Sequence, residues 1–234
     1  MSAALTRRTR WAVGSAVAVA LLFAGAATVA SARGDGAASA PLTPAADSAD
    51  AGFARDMAVH HQQAVEMSFL VRDTTDDEDV RRLAYDIANT QANQRGMLLG
   101  WLDLWELPKT APEGQGPMAW MADAHGGHSG HSGHDMQDMK GMEGMDHDGA
   151  LMPGMATRTE LERLRKARGK QAEILFLQLM TDHHKGGVAM ARGCAEQCAV
   201  AVEARLARGM VEAQQSELDL MADMLTARGA APRP

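Results

Sequence analysis

Two histidine pairs, His60-His61 and His183-His184, occupy the same place in a pattern that occurs twice in this chain. The first copy reads Phe53, Met57, His60, His61, Val65, Met67; the second reads Phe176, Met180, His183, His184, Val188, Met190, offset by 123 positions. A neutral imidazole, the common form above about pH 6.5, binds a cation through a ring nitrogen, and a thioether needs no deprotonation to do so. His60 and His61 follow Met57 by three and four residues, and His183 and His184 follow Met180 in the same way. On a helix those spacings bring sulfur and nitrogen to one patch of surface. Soft sulfur beside imidazole points to copper, Cu(I) above all, with silver as its soft analogue. Magnesium or calcium would require oxygen donors.

A second signal lies between the copies. His125, His128, His131 and His134, then Met136, Met139, Met142 and Met145, recur at every third residue, followed by His147, Met152 and Met155. A tract of this composition cannot build a packed core and reads as a metal-binding segment. Zinc and nickel fit its His half alone, but the Met run gives them no advantage. For the His pairs a structural reading stands beside the metal reading. Methionine at helical spacing also serves as core filler, and four imidazoles can be buried if Gln91, Gln94, Gln214 and Glu217 satisfy them in a polar network.

The elements that must position these residues follow from periodicity. Phe53, Met57, His60, Ala64, Met67 and Val71 recur at three and four, the stripe of one helix face. Thr75-Asp76-Asp77-Glu78 reads as a capping box, opening a second helix through Leu83, Ile87, Leu98 and Trp101 that stops before Pro108. The register persists, with Leu83 and Ala84 matching Leu206 and Ala207, Gln91 matching Gln214, and Leu102 matching Leu225. Thr157-Arg158-Thr159-Glu160 is another capping box, starting a short helix before a third long helix through Ile174, Phe176 and Met180 and a fourth ending near Ala227. No strand pattern is present. Each hairpin alone leaves an apolar face bare, so the fold expected is all-α: an antiparallel four-helix bundle made of two duplicated hairpins. Hairpin 1 spans 48–107 and hairpin 2 spans 157–228, with a flexible His/Met-rich linker over 108–156 and a disordered Ala/Gly/Pro tether over 33–47.

Residues 1–32 have the form of an export signal: Arg7, Arg8 and Arg10, the apolar stretch Trp11 to Val29, then Ala30-Ser31-Ala32 as an A-x-A cleavage site. The competing reading is an uncleaved membrane anchor, since the stretch has nearly the length of a spanning helix. The formal net charge of -7 becomes -10 on cleavage, because three arginines leave and no acid does. Such acidity excludes a nucleic-acid partner, which calls for a basic face. Cys194 and Cys198 are the only cysteines. In an oxidising compartment they form a local disulfide across a turn; alternatively, C-x3-C offers two sulfurs to a metal. No Glu-x-x-His di-iron motif, nucleophile elbow, phosphate loop or zinc-protease motif occurs. A non-enzymatic role is therefore expected, and a copper-dependent oxidase lacks a recognised constellation.

The chain resembles the secreted, ferritin-like DUF305 family, a domain of unknown function. The resemblance rests on Met57-x2-His60-His61-x2-Ala64-Val65-x-Met67, its second copy from Met180 to Met190, the linker motif Met152-Pro153-Gly154-Met155, and Gln214-x2-Glu217-Leu218-x2-Met221. It implies a ferritin-like four-helix bundle and, where a role has been assigned, copper or silver handling outside the cytoplasm, with an unidentified protein as donor or acceptor of the ion. Gln94 stands where that pattern has Glu, and Leu98 where it has Met. If these second-helix groups serve a site, the first half binds more weakly than the second. The alternative is a helical interaction or assembly module of the cell envelope in which the His pairs are structural.

Overall fold

The computed structural model describes residues 43–122 and 148–234, so residues 1–42 and the ladder from His125 to Met145, with His147, lie outside it. The described residues contain helices and no strand. Helix α1 spans Ala49–Arg72, α2 Glu78–Leu104, α3 Ala119–Ala122, α4 Arg158–Lys166, α5 Gly169–Gln197 and α6 Ala201–Ala227. The four long helices, α1, α2, α5 and α6, form the expected antiparallel bundle. Each pairs within its own hairpin, and the hairpins meet through α1 and α5, the two helices that carry the histidines.

Local chemistry sets the helix starts. Ser48 caps α1 by accepting from the Ala51 amide at 3.2 Å. Thr157 and Glu160 form the capping box of α4, as its sequence requires. The cap of α2 is a correction to the sequence reading: Asp77, not Thr75, accepts from the Val80 amide at 3.0 Å. Thr75 is drawn elsewhere, because its hydroxyl donates to Glu173 Oε1 at 2.7 Å on α5. A buried hydroxyl gains more from that carboxylate than from a cap that Asp77 supplies equally well.

Both ends of the bundle are closed by polar ties between hairpins. At one end Arg228, the C-cap of α6, reaches Glu173 at 2.7 Å and Asp77 at 2.8 Å. At the other, Asp50 in the first turn of α1 accepts from the Ala199 and Val200 amides at 3.2 and 2.7 Å, and so holds the turn that leads into α6. The disulfide Cys194–Cys198 closes the same corner. Its loop is short, so chain entropy credits it with only about 2 kcal/mol.

The core is divided in two. One apolar lobe holds Met67, Val71, Leu83, Ile87, Phe176, Leu177, Met180, Met221 and Leu225. The other holds Phe53, Met57, Leu98, Leu102, Trp120, Met190, Ala207 and Met210. Each fully buried Phe, Leu or Met stabilises the fold by roughly 1.5–3 kcal/mol. The 123-residue offset exchanges the lobes: Met57 belongs to one and its equivalent Met180 to the other.

The stretch expected as a flexible linker is attached at both described ends. Trp120 on α3 is buried, donates through Nε1 to Asp56 at 3.0 Å and meets the Phe53 ring edge-on at 5.8 Å. Gly52 makes room for it, since a Cβ there would lie 2.5 Å from the indole. At the far end Gln63 clamps Ala156, donating to its carbonyl at 2.9 Å and accepting from its amide at 2.7 Å. The tail also returns to the bundle, where Arg233 pairs with both Glu160 and Asp182.

Candidate metal centre

Between the two apolar lobes lies a polar layer with a contribution from every long helix: His60, His61 and Gln63 from α1, Gln91 and Gln94 from α2, Thr181, His183 and His184 from α5, Gln214 and Glu217 from α6. All four imidazoles are fully buried. The rings of His60 and His183 stack across the hairpin interface with centroids 3.8 Å apart and planes 32° from parallel. His184 lies 6.1 Å from His183, centroid to centroid.

Three imidazoles have their Nε2 taken. His61 Nε2 donates to Gln94 Oε1 at 2.9 Å, and in the duplicate position His184 Nε2 donates to Glu217 Oε2 at 2.6 Å. His183 Nε2 donates to the His60 carbonyl at 2.9 Å. The fourth ring, His60, faces the Pro153 carbonyl but makes no aligned hydrogen bond through either nitrogen. The Nδ1 atoms of His60, His61, His183 and His184 are all buried without a partner, as are both amide atoms of Gln91 and the Gln214 oxygen.

Buried acceptors left bare are costly and rare in folded proteins, and a bound ion is one of the few things that explains them. A ring nitrogen fixed by a carboxylate, amide or carbonyl while the other keeps its lone pair is the arrangement of a metal ligand with its outer partner in place. Burial, reinforced by the neighbouring imidazoles, lowers His60 and His61 to about 3 and His183 well below its ordinary value. These three rings are therefore neutral at any physiological pH and offer no proton for a metal to displace.

The structure sorts the sequence candidates. Met57 and Met180 lie one turn before His61 and His184, at the edge of the polar layer. Met67 and Met190 are buried two turns beyond His60 and His183, about 10 Å along the axis, inside the apolar lobes. Met152 and Met155 belong to the lobe that holds Met57, and their Met-Pro-Gly-Met segment rests on α5. There Gly154 has φ +80° and a Cβ on it would meet the Asp182 carbonyl at 2.3 Å; a Cβ on Gly186 would meet the Pro153 carbonyl at 2.1 Å. His125, His128, His131, His134, Met136, Met139, Met142, Met145 and His147 lie outside the described residues. Gln94 and Glu217 meet His61 and His184, while Gln91 and Gln214 are buried on α2 and α6.

Among the described residues, the imidazoles do not bring three nitrogen or carboxylate donors to one point. The trio that does converge is Cys194, Cys198 and Glu203, at the end of the bundle rather than in its middle. The two cysteines are joined, which decides between the two readings of C-x3-C for this state. Sequence reasoning missed Gln63, Thr181, the Pro153 carbonyl and Glu203. Gly186, beside Gly187 inside a helix, was the available signal for the Pro153 carbonyl, which fills the place a Cβ there would take.

Architecture and polar layer define a two-hairpin, four-helix bundle with a histidine-lined centre. The sequence profile of the family described as "Domain of unknown function (DUF305)" matches residues 50–225, and the chain belongs to that family. Among curated proteins none matches it. Similar solved structures include a DUF305 protein of Streptomyces coelicolor designated as secreted, 59% identical over 81% of this chain and 99% of that one, with TM-score 0.67. A DUF305 fragment from Deinococcus radiodurans is 26% identical over 76% of this chain and 96% of that one, with TM-score 0.58. CopM in its Cu(I)-bound form is 17% identical over 76% of this chain and 96% of that one, with TM-score 0.53, a likeness of fold. No helix among the described residues is long and apolar enough to cross a membrane.

Proposed function

We propose that this chain is an extracytoplasmic, non-enzymatic copper-binding protein that prefers Cu(I), accepts Ag(I), and buffers or delivers the ion. One observation carries the reading: four buried imidazoles at the hairpin interface each keep an unpartnered Nδ1. A closed polar network, the structural alternative, would leave no such set of bare acceptors. Cu(I) is content with two or three soft donors, which suits a layer where nitrogens come in pairs and the nearest thioethers in register are Met57 and Met180. CopM, a relative in fold, has been solved in Cu(I)-bound, Cu(II)-bound and Ag-bound forms, which supports the same class of cargo here. The His/Met ladder between the hairpins would capture the ion, and the His pairs would retain it. Partners are the ion and a protein that supplies or receives it.

The test is a Cu(I) titration of the exported protein against a competing chelator. Tight, saturable binding is expected to persist when residues 123–147 are deleted, and to disappear when His60, His61, His183 and His184 are also replaced by Ala. Equal affinity in the full protein and in that combined variant would refute the reading.

A further inference from the structure

The corner where α5 passes into α6 holds a second cluster that the histidine layer does not use. One donor atom from each of Cys194, Cys198 and Glu203 lies within 4.8 Å of the other two. Cys194 and Glu203 are fully buried, while Cys198, the C-cap of α5, is partly exposed. Glu203 is in the first turn of α6, and neither of its carboxyl oxygens makes an aligned hydrogen bond. Its neighbour Asp50 is engaged by the Ala199 and Val200 amides and also lies against the Glu203 carboxyl, and a Glu203 oxygen is within 4.8 Å of both sulfurs. A fully buried carboxyl whose polar neighbours are a second acid and a pair of sulfurs, in a protein that could have placed an apolar residue there, is an expensive feature unless it serves a ligand.

We propose that the Cys194–Cys198 disulfide is reversible, and that its reduced form together with Glu203 is a metal site for a thiophilic cation, with two sulfurs and one carboxylate as ligands. The reductant is a dithiol. One of its thiolates attacks the accessible Cys198 Sγ, the S–S bond breaks, and Cys194 leaves as a thiolate that takes up a proton. The second thiol of the reductant, as its thiolate, then attacks the mixed disulfide and frees Cys198. Two electrons and two protons have passed from the dithiol to the cysteine pair, and the reductant is left as a disulfide. The cation binds as both thiols and the Glu203 carboxyl release their protons to solvent. Thiolates select Cu(I), Zn(II) or Cd(II) over hard ions. No imidazole takes part, so this site stands or falls separately from the histidine layer.

Cd(II) alone is the probe, because thiolate ligation gives an ultraviolet charge-transfer absorption that imidazole or thioether ligation does not. The full protein is reduced with a dithiol, freed of reductant without air, checked for helicity by circular dichroism, and titrated. The reduced, folded protein is expected to develop the absorption with an end point at one equivalent, and the oxidised protein to develop none. Glu203→Gln is expected to bind at least about tenfold more weakly, the loss typical of a ligand or its close partner. Three results would overturn the proposal: a disulfide that resists the dithiol until the helices melt, a reduced folded protein without the absorption, or a Glu203→Gln variant that binds Cd(II) as tightly as the unaltered chain.

Discussion

His183 donates its Nε2 proton to the backbone carbonyl of His60, its own counterpart in the other copy, while the two rings stack 3.8 Å apart. The contact is made between helices of different hairpins, so the candidate site exists only when the halves are docked. An ion held by both rings would bind the folded protein and not the separated hairpins, and would stabilise the whole domain.

Thermal denaturation with Ag(I), which unlike Cu(I) is not oxidised by air, measures that coupling. At free silver a hundredfold above the dissociation constant, mass action contributes about 2.7 kcal/mol, or roughly 5–10 °C in a domain of this size. The shift is expected to survive deletion of residues 123–147 and to vanish in a His60→Ala, His183→Ala double variant. A shift that depends on the ladder alone would place the ion outside the bundle.

The halves differ at one outer partner. His184 faces the Glu217 carboxylate, and His61 faces the neutral amide of Gln94, with the same 33-residue separation. A carboxylate behind the imidazole raises its basicity and offsets the charge of the ion. Glu217→Gln is therefore expected to weaken Cu(I) binding by about 10- to 100-fold, and Gln94→Glu to strengthen binding in the first half. Chelator competition on the two variants reads both effects, and equal affinities across the set would remove Glu217 and Gln94 from the site.

Gly186 and Gly187 provide a paired test of the layer's construction. A methyl at Gly186 would strike the Pro153 backbone carbonyl, whereas one at Gly187 would strike only the Gln214 side chain, which can swing away. Gly186→Ala should cost about 1–3 kcal/mol through forced displacement of the Met-Pro-Gly-Met segment. Gly187→Ala should cost less, part of its strain being offset by the better helix propensity of alanine. Denaturant midpoints decide, and comparable losses in both would mean that the segment moves freely.

Glu203 sets a pH dependence of opposite sign to that of an ordinary salt-bridged acid. Burial, then the nearby Asp50 charge and contact, raise it from 4.5 to about 9. Between those values the folded protein holds a proton that the unfolded chain has lost, so the contribution of this group falls as pH rises from 4.5 to 9. In the oxidised protein Glu203→Gln should flatten that slope. It should also raise the melting temperature at pH 8 by at least ~3 °C, the shift that about 1 kcal/mol produces in a domain of this size. A parallel pH profile in the variant would show that Glu203 is ionised in the fold.

What the sequence determined by itself was everything that repeats at short range. Apolar positions three and four apart made the helices, Thr157 and Glu160 made their cap, and the 123-residue offset put His60 with His183 and Gln94 with Glu217 in equivalent registers. The tertiary structure decided which faces met. Docking α1 on α5 stacked the two histidines, drew Thr75 to Glu173 and left the α2 cap to Asp77, brought the Pro153 carbonyl over His60, and set Glu203 against the disulfide. The division has a physical cause: helical periodicity and capping act over a single turn. Burial, and the bare nitrogens and displaced protons that follow from it, exist only after segments far apart in the sequence have excluded water together.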